Sequence, residues 1–232
     1  MPDPASARPL PGAAEVLGAL ARRYGRVAVV SGRPAAFLAE HLLRDGAGAG
    51  PSALRLVGLY GLETVDADGM VVAAPEAEPW RAVVAEAADR AEASAPAGAR
   101  VERKSLALTL HWRERPEHES WATAQASRLA AELGLVAHGA KMSCELRPPL
   151  EIDKGKAVAE LAVGFATIAF LGDDIGDLPA FEALDALAAA GARTAKVGVT
   201  SLEAPPALLA MADVVLDGPE ATLAVLEELA GR

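Results

Sequence analysis

With 232 residues the chain is long enough for one large domain or two small ones, and its formal net charge of -10 argues against a nucleic-acid partner, which asks for a basic surface. Hydrophobic residues make up 52% and aromatics only 4%, enough for a substantial core of helices with small contact residues packed on a sheet. The single cysteine, Cys144, excludes an internal disulfide, the polar start Met1-Pro2-Asp3-Pro4 does not read as a signal peptide, and no apolar run reaches the roughly 18 residues of a membrane span, so a soluble, cytoplasmic protein is expected.

Taken in chain order, Ala13, Val16, Leu17, Leu20 and Ala21 recur at helical spacing over residues 11–23, with Pro11 at a first-turn position. The β-branched run Val27-Ala28-Val29-Val30 predicts a buried parallel strand, followed through Ser31-Gly32-Arg33-Pro34 by a helix over 34–43. A flexible connection at 46–50 leads to a strand over 54–60. Residues 62–65 and 70–72 read as a hairpin around Asp66, and a helix follows over 80–93.

Residues 104–113 alternate. Leu106, Leu108, Leu110 and Trp112 point one way, and Ser105, Thr109, His111 and Arg113 the other. A helix is expected over 118–133, then a second alternating strand over 141–147. That strand sets Met142, Cys144 and Leu146 against Lys141, Ser143, Glu145 and Arg147. Two helices over antiparallel strands predict a small α+β module. From residue 153 the α/β rhythm returns, with helices over 155–161, 179–188 and 221–229 and strands over 167–171, 194–199 and 214–216. The expected organisation is a core from 1–61 and 150–232 with an inserted α+β cap at 62–149.

The strongest chemical signal is Gly172-Asp173-Asp174-Ile175-Gly176-Asp177, directly after a strand. Ligands of open α/β sheets bind beyond the carboxyl ends of the strands. Three carboxylates there repel one another, and a hard divalent cation offsets that. One aspartate would suffice as a helix cap; three exceed that need. Ser31 at a helix start suits a phosphate, although alone such a segment is more often an ordinary cap. Lys154, with Lys156 as its competitor, could neutralise developing negative charge beside a metal and a phosphate. His111, Arg113, Lys141, Glu145 and Arg147 share polar strand faces that could bind a hydroxyl-rich ligand or simply be wet.

These elements in this order resemble the haloacid-dehalogenase phosphatase superfamily and, more finely, the trehalose-6-phosphate phosphatases. The matching stretches are Val29-Val30-Ser31-Gly32-Arg33-Pro34, Gly58-Leu59-Tyr60-Gly61-Leu62-Glu63, Lys104 through His111-Trp112-Arg113, Lys141 with Glu145-Leu146-Arg147-Pro148, Asp153-Lys154-Gly155, and Gly172 through Phe181. The resemblance implies an α/β fold with a haloacid-dehalogenase-like parallel-sheet core. It implies hydrolysis of trehalose 6-phosphate through an attacking aspartate, with a second aspartate two positions later as acid and base. It implies magnesium as cofactor, held by Asp173 with Asp174 and Asp177. Ser31 would bind the phosphoryl oxygen and Lys154 would orient the nucleophile. Arg33, His111, Arg113, Lys141 and Glu145 would contact substrate. The partner would be a small-molecule sugar phosphate bound by a monomer, with no nucleic acid and no membrane involved.

The family's Asp-x-Asp-Gly-Thr segment, expected just before Pro2, is absent from the sequence. Asp66-Ala67-Asp68-Gly69 is read as a hairpin turn and not as the nucleophile. The absent segment would end a central strand between residues 27–30 and 167–171. About five buried apolar residues there, at roughly 1.5–3 kcal/mol each, would contribute on the order of 7–15 kcal/mol. That rivals the whole stability of a domain, about 5–15 kcal/mol. The expectation is therefore a native start upstream of Met1 and a recorded chain that is inactive and folds poorly. The rivals are a phosphatase acting on another sugar phosphate and a non-catalytic regulator that binds sugar phosphates.

Overall fold

Apolar spacing in the first helical segment puts Val16, Leu20 and Ala21 inward, and the segment forms α1 (Ala13–Arg23), entered through Gly12 at φ 86. The computed structural model describes residues 8–43, 54–140, 142–201 and 204–231; the connection at 46–50 and Lys141 lie outside them. The chain divides into two compact units, Met1–Val72 with Ile152–Arg232, and Ala73–Glu151.

In the first unit, β1 (Val27–Val30) and β2 (Leu54–Gly58) pair in parallel, Val27 opposite Leu54. The β-branched residues of both strands favour the pleat, and α2 (Ala35–Leu42) covers them with Ala35, Leu38 and Leu42. The hairpin read as the opening of the insertion instead extends this sheet. Its strand β3 (Glu63–Val65) is antiparallel to β2, and β4 (Val71–Ala73) lies outside it.

A second sheet comes from the last third of the chain. There β10 (Arg193–Val199) lies between β9 (Thr167–Gly172) and β11 (Val214–Leu216), all parallel. Helices α5 (Lys154–Leu161) and α6 (Leu178–Ala189) bury Val158, Ala180 and Leu184 against Ile168 and Phe170. Two further helices, α7 (Pro206–Met211) and α8 (Gly218–Ala230), complete the unit. The parallel core expected from the two chain ends is thus two sheets. Among the described residues β1 is paired only with β2, and β9 only with β10. The sheets are tied near their strand starts, where Arg26 Nη1 donates to Leu161 O (2.6 Å) and its guanidinium lies 4.8 Å from the Phe165 ring centre.

The second unit is one antiparallel sheet of β5 (Arg100–Lys104), β6 (Ala107–His111), β8 (Ser143–Arg147) and β7 (Val136–Ala140), in that spatial order. One face carries α3 (Arg81–Ala93) and α4 (Glu119–Leu133), packed on Leu108, Leu110, Cys144 and Leu146. The stretch 104–113 is not one strand: Lys104 closes β5, and Ser105 at φ 41 turns the chain into β6. Likewise β8 starts after Met142 at φ 54. No helix among the described residues is long and apolar enough to cross a membrane.

Candidate functional site

The acidic loop after β9 is organised by one of its own aspartates. Asp177 is 3% exposed; its Oδ2 accepts from the backbone N–H groups of Asp173 (2.9 Å) and Asp174 (3.1 Å), and its Oδ1 accepts from Lys154 Nζ (2.6 Å). Gly172 makes room for this, since a Cβ there would fall 2.6 Å from Asp177 Cβ and Cγ. Lys154 is itself buried at the first turn of α5, and its Nζ also lies 3.6 Å from Asp174 Oδ1. One lysine thus serves a loop of three carboxylates.

Oxygen atoms of Asp173, Asp174 and Asp177 lie within 4.8 Å of one another. Burial pushes the Asp173 carboxyl above its ordinary value, with repulsion from Asp174 and Asp177 adding to it. Burial also raises that of Asp174, against the pull of Lys154 and with a push from Asp177. This surplus of hard oxygen donors fits a divalent cation. Asp177, read as a metal ligand, has both oxygens engaged by protein donors, whereas Asp173 and Asp174 face outward.

Ser31 stands at the carboxyl end of β1, where its Oγ accepts from Arg33 N (3.1 Å), so the hydroxyl proton remains to be donated. The expectation that the helix start at Ser31 suits a phosphate meets an internal competitor. Glu63, 1% exposed, places Oε2 3.0 Å from Ala35 N, the first N–H of that helix. Arg33 stacks its guanidinium 4.8 Å from the Phe37 ring centre. Tyr60 N donates to Ser31 O (2.9 Å), and the Tyr60 ring reaches both Gly32 and Gly176. The Ser31 turn and the acidic loop therefore flank one residue, and Ser31, Lys154, Asp173, Asp174 and Asp177 gather in one region of the first unit. A shallow cavity of about 380 Å³ lined by Val163, Phe165 and Leu187 among others contains no titratable side chain and none of these residues.

In the second unit the face turned away from α3 and α4 is polar. Register aligns Glu102, Thr109, Glu145 and His138 in one row across all four strands. Glu145, 7% exposed, accepts from Lys104 Nζ (2.7 Å) and Thr109 Oγ1 (3.4 Å), and lies 3.5 Å from Arg147 Nε. His111 Nε2 is 2.7 Å from Glu102 Oε2, a hydrogen bond that holds the Glu102 carboxyl below its ordinary value against the opposing effect of burial. Burial lowers the His138 imidazole, and Arg147 adds to the effect. Arg113 follows β6 at a half-buried position. Sequence reasoning missed Glu63, Tyr60, Glu102 and Lys104; the signal for the last two was a charged strand paired with the alternating one.

The trehalose-phosphatase family model matches residues 1–204. A trehalose-phosphate phosphatase of Mycolicibacterium paratuberculosis is 33% identical over 192 residues, which cover 78% of this chain and 47% of that protein. The chain thus spans about half the length of this curated relative. Among solved structures, a trehalose-6-phosphate phosphatase related protein superposes with a TM-score of 0.78 at 20% identity, covering all of this chain and 91% of the other. A haloacid dehalogenase-like hydrolase from Bacteroides thetaiotaomicron gives 0.62 at 13% identity, covering 93% and 91%. At these identities the structural likenesses establish the haloacid-dehalogenase-like fold.

Proposed function

Because the chain belongs to the trehalose-phosphatase family, we propose that its first unit is a phosphoryl-transfer site and that the activity it serves is hydrolysis of trehalose 6-phosphate to trehalose and phosphate. The observation that supports this best is the convergence of the Ser31 turn, buried Lys154 and the Asp173–Asp174 pair at the carboxyl ends of parallel strands. Ser31 donates its hydroxyl proton to a phosphoryl oxygen. Lys154, fixed by Asp177, offsets the charge that builds on the transferring group. Asp173 and Asp174 would hold Mg2+, which when bound supplies further neutralisation of phosphoryl charge. Asp177 sets the loop through Lys154 and the backbone N–H groups of Asp173 and Asp174.

The sequence contains no Asp-x-Asp-Gly-Thr. Among the described residues both β1 and β9 have an unpaired outer edge. A parallel strand ending in that motif would satisfy both edges and deliver the attacking carboxylate beside Ser31. In the second unit, Glu145, His111 and Arg113, together with Lys141, recognise sugar hydroxyls. The same reading makes the partner a small-molecule sugar phosphate met by a cytoplasmic monomer.

The test compares the 232-residue chain with one extended at its N-terminus by an apolar strand ending in Asp-x-Asp-Gly-Thr. Both are assayed with Mg2+ on trehalose 6-phosphate, sucrose phosphate and a mannosyl phosphate. Expected are no turnover by the shorter chain and turnover by the longer one, fastest on trehalose 6-phosphate. Preference for another sugar would reassign the substrate. Inactivity of a folded, extended chain on all three would overturn the reading, and tight trehalose 6-phosphate binding without turnover would make the protein a regulator.

A further inference from the structure

Tyr60 has no role so far, yet the backbone is bent to present it. Leu59 (φ 47) and Tyr60 (φ 64, ψ 6) both occupy left-handed backbone, a disfavoured region for residues other than glycine and asparagine. Two bonds clamp the bend: Leu59 N donates to Arg33 O and Tyr60 N to Ser31 O, each at 2.9 Å. Leu59 is fully buried and anchors it. Glycine would adopt this conformation without strain, so what the position gains from tyrosine is the side chain.

That side chain lies between the two halves of the phosphoryl site. A Cβ placed on Gly32 would fall 2.6 Å from Tyr60 Cζ and Oη, so the hydroxyl end sits against the turn that carries Ser31. A Cβ on Gly176 would fall 3.8 Å from Tyr60 Cε1, so the ring edge meets the acidic loop. We propose that Tyr60 is a substrate-contacting residue, its hydroxyl donating a hydrogen bond to the phosphoryl group received beside Ser31 while its ring walls that side of the site. A phenol stays neutral at working pH and adds a donor to an anion without bringing another charge into a region already crowded with carboxylates. The inference rests on the phosphoryl reading of the first unit.

Calorimetric titration of the N-terminally extended chain with inorganic phosphate in the presence of Mg2+ tests it, on the parent, Tyr60→Phe and Tyr60→Gly, with thermal unfolding of each. The parent is expected to bind phosphate, and Tyr60→Phe, which keeps the ring, to bind on the order of 10-fold more weakly. Tyr60→Gly is expected to bind at least as poorly while unfolding at or above the parent's midpoint, because relief of strain offsets lost contacts. A purely structural residue would not weaken binding as stability holds. Parent and Tyr60→Phe binding equally well would overturn this inference alone. A parent that binds no phosphate would overturn it together with the phosphoryl reading.

Discussion

The two units handle their carboxylates in opposite ways. On the sheet face of the second, each carboxylate is matched inside the protein: Glu145 has Lys104 and Arg147, and Glu102 has His111. In the first, three aspartates share Lys154, and two of them are held above their ordinary protonation range. A matched face can stand alone with its geometry fixed. On the proposed reading a cation would complete the unmatched loop, which would then suit phosphate chemistry, while the matched face would suit neutral hydroxyls.

The sharpest way to break the contrast is Lys154→Ala. It strands the buried Asp177 carboxylate and should cost about 3–5 kcal/mol in metal-free urea unfolding. Hydrogen exchange in the second unit should change least, because its ion pairs do not involve Lys154. Adding Mg2+ to the parent should stabilise the first unit by about 2.7 kcal/mol at a hundredfold excess over the dissociation constant, and the double change Asp173→Asn with Asp174→Asn should abolish the gain. Equal stabilisation of the double variant would remove the cation from the site. Glu145→Gln should cost about 1–3 kcal/mol through the second unit, because Lys104 and Arg147 lose the opposite charge they pair with, and its response to Mg2+ should match the parent's.

The smallest effect is a difference of sign with pH. Glu102 is held low, so its contribution is present above its unfolded value of 4.5 and is lost as pH falls through the lower folded value. Asp173 and Asp174 are held high, so without metal the first unit weakens as pH rises from the unfolded value of 3.8 through their raised folded values. Hydrogen exchange followed as pH moves away from these unfolded values should therefore give slopes of opposite sign in the two units. Parallel slopes would contradict the contrast.

Much of this was legible in the chain. Val27–Val30 and Val214–Leu216 form where β-branched runs stand, and α1, α3 and α4 follow their apolar spacing to within a turn. Two strands were not legible. In β5, Arg-Val-Glu-Arg-Lys carries a single apolar residue, and β7, exposed along its length, is rich in alanine and glycine; both are edges whose strand state comes from pairing and not from pattern. In the site, the acidic loop, Ser31 and Lys154 could be placed because strand ends predict where side chains converge. That Asp177 organises the loop while Asp173 and Asp174 face outward could not, since all three are the same residue type and only the folded donors distinguish them. Glu63 escaped notice for a related reason: a glutamate beginning a strand looks solvated until α2 is set against it.

Glu63 carries a consequence of its own. By occupying the first amide of α2, its carboxyl oxygen stands where a ligand oxygen would, and the chain around Ser31 takes its shape from within the protein. Preorganisation of this kind removes an ordering cost from ligand capture. Phosphate should then associate rapidly with a receptor already formed, and the selectivity of the encounter should depend on side-chain hydroxyls and Lys154 far more than on a helix end.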